Sequence, residues 1–102
     1  MRYISTRGGS AAQAGFGDIL LGGLMTDGGL AVPEAYPRIS SAELAAWRAL
    51  DYRGLAFEIL RRYCDDIPAT ELKRIIDITY TATIFGSDEI TPLRELGDDL
   101  YI

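Results

Sequence analysis

Thr26-Asp27-Gly28-Gly29 is the stretch whose residue types and spacing come nearest to chemistry. Consecutive glycines reach positive φ without steric penalty and can aim successive N–H groups at one anion, while Thr26 adds a hydroxyl. Arg7 would bring a positive charge if the first strand lies beside this loop. Such a set would recognise an anionic group on a substrate or form part of an active-site wall. The plainer account is a helix-to-strand turn in which Asp27 bonds its own backbone, and the residues themselves favour it.

The other candidates are weaker. Asp65-Asp66 and Asp98-Asp99 are adjacent acids, but both fall in connecting segments where such pairs usually hold a turn in water. Acid–base work needs environments that push two pKa values apart. Cys64 has Arg61 and Arg62 nearby, which would activate a thiol. The chain contains no histidine to act as its base, so a small core residue is the better reading. Gly15-Phe16-Gly17 begins like a dinucleotide fingerprint but lacks the third glycine and lies inside a helical pattern. No Gly-Lys-Ser or Gly-Lys-Thr occurs, which removes the nucleotide P-loop. Lys73 is the only lysine, beside Arg74 on the charged side of an amphipathic pattern, which reads as a solvated position.

Composition narrows the classes further. The 102 residues leave room for one domain, residues 1–102, with one modest core. A formal net charge of −5 argues against nucleic acid and anionic membranes as partners. One cysteine rules out an internal disulfide framework, and the absence of histidine rules out His/Cys zinc sites. No apolar run reaches the roughly 20 residues of a membrane span, and Met1-Arg2-Tyr3 does not open a signal peptide. The expected compartment is the cytoplasm.

The elements that must position these residues follow from periodicity and breakers. Tyr3-Ile4-Ser5 reads as a strand stopped by Arg7-Gly8-Gly9-Ser10. Ser10 is a cap for a first helix with Phe16, Ile19, Leu20 and Leu24 on one buried face. Leu30-Ala31-Val32 is a second strand closed by Pro33. Ser40-Ser41-Ala42-Glu43 is a capping box opening a helix that presents Leu44, Trp47 and Leu50. Asp51 begins a third helix, with Leu55, Ile59, Leu60 and Tyr63 inward and Cys64 beside them. Pro68 suits the first turn of a fourth, lined by Leu72, Ile75, Ile76 and Thr79. Ile90 to Leu96 reads as an edge strand because Pro92 cannot donate to a ladder, and Gly97-Asp98-Asp99 as a turn. Leu100-Tyr101-Ile102 opens a further apolar run. The predicted fold class is α+β, about four helices packed on a small sheet of short strands, with the segment from Ile90 onward the least ordered.

Tyr3-Ile4-Ser5-Thr6-Arg7-Gly8 and Leu24 to Pro33 together resemble the opening of threonine synthase. The likeness takes in Phe16 to Gly23, Ile67-Pro68-Ala69-Thr70-Glu71-Leu72, Ser87 to Leu93 and Leu100-Tyr101-Ile102, in the family's order along essentially the whole chain. Each motif is weak alone; the combination is specific. The resemblance implies the N-terminal domain of a fold-type II pyridoxal-phosphate enzyme that converts O-phosphohomoserine and water to threonine and phosphate. It implies pyridoxal phosphate in the full-length enzyme and none bound by this segment, because the cofactor lysine lies downstream in the family. Partners would be the catalytic domains of the same chain and, in the full enzyme, a small-molecule substrate. Arg7, Thr26, Asp27, Gly28 and Gly29 become substrate-proximal candidates, with no catalytic, cofactor-binding or metal residue in the chain itself. Two rivals remain at this point. One is a threonine-synthase-like phospho-lyase on another phosphorylated amino acid; the other is a non-catalytic interaction module of the same ancestry.

Overall fold

The computed structural model of the chain describes residues 1–8 and 14–102. Strand β1 (Tyr3–Ser5) pairs antiparallel with β2 (Ala31–Pro33), setting Tyr3 opposite Pro33 and Ser5 opposite Ala31. Alternation along β1 turns Tyr3 and Ser5 inward and Ile4 outward. Two further bonds extend the ladder, Thr6 N–H to Leu30 C=O at 2.9 Å and Glu34 N–H to Arg2 C=O at 2.9 Å. The Tyr3 hydroxyl donates to the Tyr63 carbonyl at 2.8 Å, which ties the small sheet to the helical half.

Helix α1 (Phe16–Gly22) starts later than the proposed Ser10 cap, which lies outside the described residues. Gly15 is its N-cap and has no side chain to cap with. Asp66 substitutes from far along the chain, its Oδ2 accepting the Gly17 N–H at 2.8 Å. Asp18 accepts the Gly15 N–H at 3.3 Å. Gly23, at φ 73°, ends the helix. The face predicted to be buried here is not: α1 holds no buried residue, and Leu20 and Leu24 point to solvent.

The helical half starts and caps where predicted, but its predicted inward faces are corrected. In α2 (Ser41–Trp47) the capping box forms, with Ser40 Oγ accepting the Glu43 N–H at 3.2 Å and Glu43 Oε2 accepting the Ser40 N–H at 2.8 Å. Asp51 caps α3 (Tyr52–Leu60) by accepting the Gly54 N–H at 2.8 Å. Helices α2 and α3 hold no buried residue, and Leu44, Leu50, Leu55 and Ile59 stay exposed because little among the described residues lies over them. Helix α4 (Ala69–Thr79) packs on α3 and buries Leu72 and Ile76, whereas Ile75 and Thr79 of the predicted stripe stay exposed. Pro68 is its N-cap, one residue outside the predicted first turn. A fifth helix, α5 (Ala82–Phe85), adds to the predicted four, capped by Thr81 and closed by Gly86 in the left-handed region. Tyr80 sits between Tyr52 and Phe85, with ring centroids 5.2 and 5.6 Å away.

The predicted edge strand over Ile90–Leu96 is corrected. A hairpin of β3 (Glu95–Gly97) and β4 (Leu100–Tyr101) takes its place, forming a second two-stranded sheet. Ile90 adopts φ 64°, a conformation that a β-branched residue reaches only at a cost, and it is buried there. The chain therefore turns at Ile90 before any strand begins. The buried apolar core is small: Tyr3, Met25, Cys64, Leu72, Ile76 and Ile90. The class is α+β, as expected, with two separate two-stranded antiparallel sheets and five helices among the described residues.

Candidate functional site

The loop between α1 and β2 and the end of β1 come together, as the sequence required for Arg7 to meet Thr26–Gly29. Met25 N–H donates to Gly29 C=O at 2.9 Å and Gly28 N–H to Met25 C=O at 2.8 Å, closing the loop on itself. Gly28 adopts φ 76°, which a residue with a Cβ rarely takes. Asp27 Oδ1 accepts from the Ser5 hydroxyl at 2.7 Å and from the Gly29 N–H at 2.9 Å. The Arg7 N–H donates to Ser5 Oγ at 3.1 Å, and Arg7 Nη1 donates to the Asp27 carbonyl at 3.0 Å. Thr6 Oγ1 accepts the Leu30 N–H at 3.0 Å and completes the join.

Two consequences follow. The N–H groups that an anion nest would need are both taken, Gly28 by Met25 and Gly29 by Asp27, so the glycines serve the turn. What the loop leaves available is the outer side of the Arg7 guanidinium, held by the Asp27 carbonyl, and the exposed Thr26. Ser5 was not among the residues picked from sequence, although it is buried and central. Its place opposite Ala31 on β1, inward by alternation, was the signal that would have found it. The Ser5 hydroxyl, then the Gly29 N–H, hold the Asp27 carboxyl below the usual carboxylate range, with the Arg7 charge adding to them. Asp27 Oδ2 is buried and has no hydrogen-bond partner among the described residues. Between α1 and this loop lies a cleft of about 210 Å³ lined by Asp18, Ile19, Leu24, Met25 and Thr26 among others.

Elsewhere several of the titratable groups are used in holding the fold. Asp65 pairs with the amino group of Met1 and Asp66 caps α1. Burial, with the nearby Asp66 and Asp65 charges, raises the Cys64 thiol, the opposite of an activated nucleophile. Glu43 is lowered to about 2 by the Ser40 N–H and then by Arg62, whose guanidinium also lies 5.1 Å over the Trp47 ring. Lys73 is ion-paired with Asp77 at 3.5 Å, with 63% of its side chain exposed. Among the described residues no cluster of three or more His, Cys, Asp or Glu groups could hold a metal. No helix among them is long and apolar enough to cross a membrane.

Comparison with known proteins decides the family. The profile described as threonine synthase N terminus matches residues 2–80. The chain belongs to the threonine synthase family, in its N-terminal part. It is 50% identical to threonine synthase of Methylobacillus glycogenes, with 100% of the chain covered and 23% of the relative. It is 44% identical to that of Corynebacterium glutamicum, again over the whole chain and 22% of the relative. The crystal structure of pyridoxal-phosphate-bound threonine synthase from Brucella melitensis superposes with a TM-score of 0.84 at 34% identity, over 100% of this chain and 22% of that one. The chain thus spans between a fifth and a quarter of the length of the relatives it matches.

Proposed function

We propose that this chain is the leading domain of a threonine synthase, the complete enzyme converting O-phosphohomoserine and water to threonine and phosphate. The observation that carries the reading is the match along the entire chain to proteins of that name, at up to 50% identity. Pyridoxal phosphate, when bound, supplies the carbanion stabilisation, and in this reading the rest of the polypeptide holds it. What this chain contributes is a rigid loop with a fixed cation. Arg7, its backbone bonded to Ser5 and its guanidinium to the Asp27 carbonyl, keeps further N–H donors on the same loop that carries Thr26 and so suits a phosphate-bearing substrate at the edge of the active site. Asp27, Gly28 and Gly29 act as supports for that arrangement.

The test is steady-state kinetics in the full-length enzyme, following phosphate release from O-phosphohomoserine. Arg7→Ala is expected to raise KM about tenfold or more, the weight of a charge-assisted hydrogen bond, with a smaller effect from Thr26→Ala. Unchanged kcat and KM in both variants would remove the loop from the active site. A full-length protein that releases no phosphate from this substrate would overturn the reading as a whole.

A further inference from the structure

We infer that the leucine surface made by Leu20 and Leu21 of α1, with Leu24 and Leu30 of the loop that follows it, is the surface by which this chain docks onto the rest of its own polypeptide. The inference rests on the reading above, that a longer enzyme surrounds this domain. These four side chains are 66%, 91%, 57% and 62% exposed. Asp18 is the only charged residue between Ala14 and Thr26, so nothing in this stretch makes water a favourable neighbour. A helix of seven residues containing two glycines does not hold itself together by propensity. Among the described residues it is covered only in part, Phe16 and Ile19 being half-buried and none of its residues fully so, and it is anchored at its N-terminal end by Asp66 and Asp18. A surface of that kind is stable only when something apolar covers it.

Area and length point to the occupant. The accessible surface is 7542 Å², whereas a compact monomer of 11.2 kDa exposes about 5,700 Å². The excess, about 1,800 Å², is more than twice the roughly 800 Å² that one partner buries in a standard interface, and falls in the range of permanent ones. The radius of gyration is 16.5 Å, against about 13 Å for a compact domain of this length. A second copy pairing through these four leucines would still leave Ile78, Ile84, Leu93 and Ile102 in water. A body of the size found in the relatives, where this region is 23% of the length, can cover several such faces at once. The α1 face adjoins the loop directly, because Leu24 and Leu30 flank the Met25–Gly29 hydrogen bond. Docking there sets Arg7 and Thr26 at the seam between this chain and the remainder, where a substrate would be enclosed.

Hydrogen exchange in the full-length enzyme tests this. Amides of Ile19 to Gly23 are expected to exchange within about tenfold of those near Leu72 and Ile76, the slow end of this domain's range. Exchange at the rate of a frayed, solvated helix would overturn the proposal, as would protection that fades on dilution, which would mean a second copy. Leu21→Cys gives an independent reading: its maleimide labelling is expected to be at least about tenfold slower in native full-length enzyme than in the same protein unfolded in urea, since only opening exposes it. Equal rates would overturn docking. Phosphate release is measured on the same samples. A protected α1 in a protein inactive on O-phosphohomoserine would sink the activity alone, and an exposed α1 in an active enzyme would sink the docking alone.

Discussion

The hydroxyl of Ser5 occupies the space that a side chain at Gly29 would need. A Cβ built on Gly29 falls inside the van der Waals sphere of Ser5 Oγ, 3.1 Å from Asp27 Oδ1 and 3.2 Å from Arg7 Cγ. Gly29 is therefore required by close approach and not by backbone angle; the positive φ belongs to its neighbour Gly28. Gly29→Ala is expected to destabilise the chain by about 1–3 kcal/mol, as overpacking does. Ser5→Ala combined with it should restore part of that loss, so a double-mutant cycle by urea unfolding should show coupling between the two sites. Additive effects would mean that the backbone moves aside and the hydroxyl is not the obstacle.

Acid stability should report on Glu43. Its carboxyl is lowered from 4.5 to about 2 by the Ser40 N–H, then by Arg62 and the Ser40 hydroxyl. A folded-state pKa below the unfolded one means the contribution is complete above about pH 4.5 and disappears as pH falls towards 2. Glu43→Gln keeps an acceptor for the capping box and removes the titration. It should flatten the stability profile within that window and leave the profile at neutral pH nearly parallel to that of the parent. An unchanged acid limb in the variant would assign the slope to other carboxylates.

How far these sites could be read in advance depended on whether the signal was local. The Ser40–Glu43 box and the Asp51 cap are chemistry within four residues, and each formed where the residues placed it. The β1–β2 pair was legible as two strands, and its register put Arg7 within reach of the loop. What failed were several inferences that needed a distant partner. Leu20 and Leu24 read as a buried face because helical periodicity reports which side is apolar, not whether anything covers it. The strand read over Ile90–Leu96 survives only at its end, in Glu95 and Leu96, because Ile90 takes a left-handed turn that buries its side chain. Helix α5, four residues long, is too short to carry a period. In the site, Asp27 was recognised as bonding its own backbone, whereas the Ser5 hydroxyl, 22 residues away in sequence, was not.

Alkaline behaviour should isolate Tyr3. Burial, reinforced by the nearby Cys64, Asp65 and Asp66 charges, raises its phenol from 10.0 to about 12. A raised folded-state pKa means its contribution is whole below pH 10 and is lost as pH climbs towards 12. Ultraviolet titration of the native chain should show one phenol ionising late, together with unfolding, and Tyr3→Phe should delete that step. The same variant leaves the Tyr63 carbonyl without its donor, at a cost of about 1 kcal/mol near neutral pH. A late phenol that survives in Tyr3→Phe would move the assignment to another tyrosine.

Two isoleucines on one helix separate what this chain holds by itself from what it leaves open. Ile76 is 1% exposed, the only large side chain fully buried among the described residues, and sits where α4 meets α3. Two residues on, Ile78 is 55% exposed. Ile76→Ala removes buried methylenes from a core of very few residues, so about 2–5 kcal/mol is expected, enough to unfold a chain of this size or bring it to the edge. Ile78→Ala should fall within about 0.5 kcal/mol of the parent in the 102-residue chain. Urea midpoints at constant m-value decide it. Similar losses at both positions would mean that Ile78 is already covered in solution, and the 102-residue chain would then be self-associating through α4.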